Sequence, residues 1–98
     1  MSSPIARILH FSFDTAEDLN LWVMKYETET SELAKEAIQR TLIKTDEKSL
    51  VICNIYRKEE HADIVLERLS KWSGTVKAAR TWESFNLTGE VVFSEPKY

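Results

Sequence analysis

Cysteine occurs once in the 98 residues, as Cys53. No intrachain disulfide can therefore form, and no thiolate cluster can hold a structural metal. Glycine occurs twice, as Gly74 and Gly89, too few to build a phosphate-cradling loop. The two prolines, Pro4 and Pro96, lie near the ends, and no interior stretch reads as a linker, a repeat or a low-complexity segment. No HExxH, CxxC or paired histidine occurs, so the sequence offers no metal site. Apolar runs stop at about four residues, far short of a membrane helix. A basic block is missing too: 13 Lys and Arg are interspersed with 16 Asp and Glu, for a net charge of −3. Nucleic-acid binding by counterion release needs clustered cations, so nucleic acid is not an expected partner. Met1-Ser2-Ser3-Pro4 shows no basic stretch leading into an apolar core. The cytoplasm is therefore the expected compartment, and the sequon Asn86-Leu87-Thr88 reads as coincidence.

What is present is a globular composition, 43% hydrophobic and 30% charged. The length suits a single domain over residues 1–98 with a real core, but not a deep active site enclosed by one protomer.

Ile5 to Phe13 is rich in β-branched and aromatic residues and predicts a first strand. Asp14, with Glu17 three residues on, reads as a helix cap, and Leu19, Trp22, Val23 and Tyr26 recur at helical spacing behind it. Thr28 to Ser31 interrupts this pattern, and Leu33, Ala34, Ala37 and Ile38 resume it. Arg40 to Thr45 predicts a short strand, Asp46-Glu47-Lys48-Ser49 a turn, and Leu50 to Tyr56 the strongest strand. A second helix begins near Glu59 and Glu60 with the stripe Ala62, Val65, Leu66, Leu69 and Trp72, and Gly74 is placed to end it in left-handed conformation. Val76 to Phe85 predicts a fourth strand, and Glu90 to Ser94 a short tail strand. The order β-α-β-β-α-β is that of the split-βαβ, ferredoxin-like α+β sandwich: one four-stranded antiparallel sheet with both helices on one face, here with an extra C-terminal strand.

In that topology the third strand is central. One of its faces carries Val51, Cys53 and Ile55, the other Leu50, Ile52 and Tyr56, and both sets are apolar. A sheet with one wet face alternates apolar with polar residues, so the second face calls for a cover. A second protomer, sheet against sheet, supplies one, with the tail strand Val91-Val92-Phe93 pairing at the partner's edge. A monomer with the tail folded over its own sheet supplies the other. Cys53, in an apolar run, reads as a small buried hydrophobe.

Element order, length, the two-sided third strand and the short extra strand resemble the dimeric α/β-barrel superfamily. It includes stress-responsive barrel domains and antibiotic-biosynthesis monooxygenase-like proteins. The resemblance runs from about Ala6 to Phe93; Ala34 to Tyr56, the second helix and Arg80-Thr81-Trp82 carry most of it. It implies a homodimer holding a small apolar or amphipathic molecule, in the barrel or between sheet and helices. Among the activities in that superfamily are cofactor-free oxygenation and haem degradation; no motif in this chain calls for a cofactor.

Five residues stand out as ligand-binding candidates: His10, Trp22, Tyr26, Arg80 and Trp82. His10 lies mid-strand among apolar neighbours, either as a buried neutral imidazole or as a group that contacts a ligand. Arg80 and Trp82 share a strand face. The guanidinium can take a carboxylate while the indole lines the ligand's apolar body, or the two can serve a surface ion pair and an interface. Trp22, Tyr26 and Trp72 lie on the apolar helix stripes and read as core, forming the wall of any pocket between helices and sheet. His61, in the first turn of the second helix, reads as solvated. Three functions follow: a ligand-binding homodimer, an oxygenase-like or haem-degrading enzyme, and a purely structural or regulatory dimer.

Overall fold

A computed structural model of the chain describes residues 3–76 and 80–96, with the backbone alone over 80–86. The elements are β1 (Ile5–Phe13), α1 (Ala16–Glu29), β2 (Ala37–Asp46), β3 (Ser49–Tyr56), α2 (Glu59–Ser73) and β4 (Arg80–Glu90). The strands form one antiparallel sheet in the order β2-β3-β1-β4. This is the ferredoxin-like arrangement expected from the sequence, with β1 and β3 central.

Period-two alternation fixes which face each strand buries. In β1, Arg7, Leu9, Phe11 and Phe13 are buried, while Ala6, Ile8, His10 and Ser12 are half-exposed. In β3, Leu50, Ile52, Asn54 and Tyr56 turn to the same buried side. The helices cover that side with Leu19, Trp22 and Tyr26 of α1 and Ala62, Val65, Leu69 and Trp72 of α2. Each Leu or Phe fully buried here stabilises the fold by about 1.5–3 kcal/mol over leaving it in water.

Local chemistry sets the boundaries, and at several of them the structure departs from the expectation. Thr15, not Asp14, caps α1: its Oγ1 accepts the N–H of Asp18 at 3.1 Å. The second helical stretch expected over Leu33 to Ile38 is a turn at 31–36, running into β2 at Ala37. Ala34 is buried there, and its N–H donates to Thr30 O, so one core contact mimics a helical period. Asp46 Oδ1 takes the Lys48 N–H and the Ser49 hydroxyl, which makes the β2–β3 turn. Gly74 has φ −64° and ψ −19°: α2 ends in right-handed geometry, its N–H donating to Ser70 O, and no left-handed cap is used. β4 runs to Glu90, so of the tail strand expected over Glu90 to Ser94 only the first residue is in a strand, as the end of β4. Residues 91–94 form no strand of their own within the protomer, and Val91 N–H donates to Pro4 O at 2.8 Å.

Candidate functional site

The helix-facing layer is crowded with aromatic rings. Trp22 stacks on Tyr26 at 5.0 Å and meets Trp72 edge-on at 5.5 Å; Phe11 and Phe13 close the cluster at 5.5 and 5.9 Å. The indole N–H of Trp72 donates to Glu29, an interaction that holds the Glu29 carboxyl below its usual range. Inside the cluster a niche of about 20 Å³, bounded by Leu9, Phe11, Trp22, Tyr26, Leu69 and Trp72, has room for about one water-sized molecule. The rings themselves fill most of this layer, and Trp22 is buried in the core, as its place on the helix stripe predicts.

Polar chemistry gathers in a row of the sheet at one end of this layer. Arg40 of β2, Asn54 of β3, Arg7 of β1 and Thr88 of β4 are directly opposed across the four strands. Strand spacing gives the row a span of about 14 Å. Arg7, only 8% exposed, donates from Nε to Thr88 Oγ1 at 3.1 Å and from Nη2 to Asp63 of α2 at 3.0 Å. Asn54 donates to the Tyr56 hydroxyl at 3.2 Å, and burial pushes that phenol's pKa up. Arg40 lays its guanidinium over the Tyr26 ring, 4.6 Å from the centroid, and donates from Nη2 to Thr30 Oγ1 at 2.6 Å.

Buried polar atoms normally find partners, because leaving one unpaired costs about 1–3 kcal/mol. Here Arg7 Nη1, Asn54 Oδ1, Arg40 Nε and Tyr26 Oη are buried with none. Arg40 also has no carboxylate within ion-pair distance among the described residues. It borders an open cleft of about 360 Å³ between α1 and the β2 edge, with Tyr26, Glu27, Thr41 and Leu42 as the other walls. A cation over an aromatic ring, with one donor unpaired and an open cleft at its side, can take a carboxylate or an ionised enol oxygen.

The sequence candidates divide between the two faces. Tyr26 belongs to the site just described, and Trp22 to the core beneath it. His10 lies on the opposite, open face, opposite Val51. It stands where the β1–β4 ladder steps from Leu9 opposite Asn86 to Phe11 opposite Trp82, leaving residues 83–85 against the single residue His10. The backbone register sets Arg80 opposite Phe13 and Trp82 opposite Phe11, and no rung joins either to His10. The side chains of Arg80 and Trp82 lie outside the described residues. His61 is half-buried with Nδ1 enclosed, not fully solvated, and Cys53 is half-exposed on the open face, not sealed in the core.

Arg7, Arg40, Asn54 and Tyr56 were not singled out by the sequence reading. A signal existed for two of them: Arg7 alternates in phase with Leu9, Phe11 and Phe13, and Asn54 with Leu50, Ile52 and Tyr56. A charge or amide in phase with a core stripe marks a buried polar group.

No protein-family model matches the chain, and the comparison with curated proteins gives no match. Solved structures do. A dimeric ferredoxin-like protein from an uncultured marine organism superposes with a TM-score of 0.65 at 16% identity, over 95% of this chain and 91% of that one. A candidate antibiotic biosynthesis monooxygenase of Nitrosomonas europaea gives 0.70 at 13% identity, over 95% and 94%. SnoaB, a cofactor-independent oxygenase of Streptomyces nogalater, gives 0.65 at 12% identity, over 98% and 100%. The fold of this chain is the fold of these proteins. No helix among the described residues is long and apolar enough to cross a membrane.

Proposed function

We propose that the chain works as a homodimer, joined through its open sheet face, and that each protomer binds a small amphipathic anion at Arg40. The dimer is supported by the composition of that face. Ile8, Val51 and Cys53, all half-exposed, occupy its centre beside the buried Ile55, while Ile43 and Leu87 are 50% and 52% exposed at its flanks. Half-exposed apolar surface of this extent marks an interface. Val92 and Phe93, 90% and 76% exposed just beyond β4, are further apolar surface that a partner would cover.

The observation that carries the binding reading is the state of Arg40: half-buried, stacked on Tyr26, without a carboxylate partner, and bordering an open cleft. This reading keeps Tyr26 as a proposed ligand wall and puts the carboxylate on Arg40 where the sequence points to Arg80, whose side chain lies outside the described residues. Thermal unfolding with a panel of short alkanoic and arylalkanoic acids tests it. A ligand at a hundredfold excess over its dissociation constant stabilises the fold by about 2.7 kcal/mol. The wild type should show that rise in Tm and Arg40→Ala should lose it. No rise with any acid, or an equal rise in the variant, overturns the reading and favours a purely structural dimer.

A second reading, cofactor-free oxygenation, draws on SnoaB, which shares the fold. Arg40 and the Tyr26 hydroxyl would then hold the ionised oxygen of a phenol- or enol-type substrate. Oxygen uptake with quinol-type substrates tests it, and the absence of uptake across the panel sets it aside.

A further inference from the structure

The cleft beside Arg40 carries a second unpaired charge, of opposite sign. Glu27, on the exposed side of α1, borders the same space as Arg40. Neither makes an ion pair with the other or with any described residue; the nearby Lys25 pairs with Glu29 instead, at 3.5 Å. A cation and an anion that face one cleft and stay more than 4.0 Å apart leave both ends of a dipolar slot open. Glu27 and Leu42 also line a second, adjacent space of about 210 Å³, whose other walls include Leu19, Val23, Leu50 and Lys44. The slot therefore has a cation, an anion and an apolar wall beside them.

We infer that this cleft recognises a free α-amino acid with a branched aliphatic or aromatic side chain: its carboxylate on Arg40, its ammonium on Glu27, its side chain against Val23 and Leu42. The inference rests on the reading that Arg40 takes an anion, and narrows the ligand class. A simple carboxylic acid leaves Glu27 unpaired beside an anionic ligand, which disfavours it. An amine leaves the half-buried guanidinium unpaired. The zwitterion satisfies both, and three points of contact also make the slot sensitive to hand. Lys44 lies one strand-length of about 13 Å from Arg40. It lines the side-chain end of the slot together with Glu27, yet no ion pair joins the two within 4.0 Å.

Titration calorimetry on the full chain tests this with matched probes: leucine and phenylalanine, their deaminated analogues 4-methylpentanoate and 3-phenylpropanoate, and phenethylamine. The amino acids should bind about twofold to fivefold more tightly than the deaminated acids, the range an exposed ion pair supplies. Glu27→Gln, at an exposed helix position, should erase that preference without weakening the acids. Arg40→Ala should weaken both classes, and the two enantiomers of leucine should differ in affinity. Acids that bind as tightly as the amino acids in the wild type overturn the role of Glu27 while Arg40 keeps its own. If neither class binds, the anion reading of Arg40 falls with it.

Discussion

The guanidinium of Arg40 and the ring of Tyr26 lie face to face, 4.6 Å apart, at the boundary between the aromatic core and the open cleft. The ring holds two positions at once, since its other face belongs to the stack with Trp22 at 5.0 Å. Its hydroxyl, buried without a partner, adds nothing to that packing. Tyr26→Phe should therefore leave stability within about 1 kcal/mol of the wild type, because it removes an unpaired polar atom and keeps the ring. Tyr26→Ala should cost about 3–5 kcal/mol, the range for deleting a buried aromatic side chain. Urea unfolding of the two variants checks the contrast. Equal losses would mean that the hydroxyl has a partner after all.

Arg7 is the most deeply enclosed cation described, and Asp63 its one carboxylate. Asp63 is 65% exposed, so water screens the pair, and it is not equivalent to a fully buried one. Asp63→Ala should still cost about 1–2 kcal/mol, because it leaves a buried guanidinium without its counter-charge. Lys71→Ala, which breaks an exposed pair with Glu67 one helical turn away, should cost no more than about 0.5 kcal/mol. Denaturant midpoints of the two variants make the comparison directly. Parity between them would place Arg7 in a wetter environment than its 8% exposure implies.

These relationships show what the sequence could and could not reveal. Strand alternation and helical stripes made the sheet, its central strands and the layer of Trp22, Tyr26 and Trp72 legible, because burial follows periodicity. Leu33, Ala34, Ala37 and Ile38 fall at helical spacing and so predict a helix, but the buried Ala34 and the three half-buried residues are shared between the turn at 31–36 and β2. The site was only partly legible. Tyr26 lies on a stripe and can be found by period, but Arg40 is placed by its rung with Asn54 and Arg7, and cross-strand register depends on bulges that single residues do not announce. One such bulge, between Ala37 and Gln39, precedes Arg40 itself.

Acid should weaken the fold through Glu36, Asp46 and Glu29, the carboxyls held below their usual range. The Arg68 guanidinium donates to both Glu36 oxygens, at 2.7 and 2.9 Å, and holds this carboxyl below its ordinary value of 4.5. Asp46 is lowered as well, chiefly by the Lys48 N–H. A carboxyl depressed in the folded state contributes stability that is present above its unfolded pKa and lost as pH falls through the folded one. Stability should thus be flat from neutral pH to about 4.5 and decline below. Glu36→Gln should lower the neutral plateau and flatten that decline. Denaturation midpoints measured from pH 7 to pH 2.5 test both, and an unchanged acid limb in the variant would remove Glu36 from the account.

The open face supplies the sharpest test of assembly. Val51 stands between His10 and Ile43 in one rung, at the centre of the sheet surface that a second copy would cover. In a monomer this position is half-exposed, so a lysine there can extend its ammonium into water and the fold should tolerate it. In a two-fold dimer the same lysine is enclosed against its symmetry mate and its apolar neighbours, where a like charge and lost hydration both oppose it. Val51→Lys should therefore shift the chain from dimer to monomer, raising the dimer dissociation constant at least about a hundredfold, which corresponds to about 2.7 kcal/mol. Met24→Lys is the matched control: it adds the same charge at a 55% exposed position on α1, away from the open face, and should leave the dimer intact. Light scattering coupled to size exclusion reads both variants. A wild type that elutes as a monomer, or a Val51→Lys variant that stays dimeric, would mean that the open face is not where copies of this chain meet.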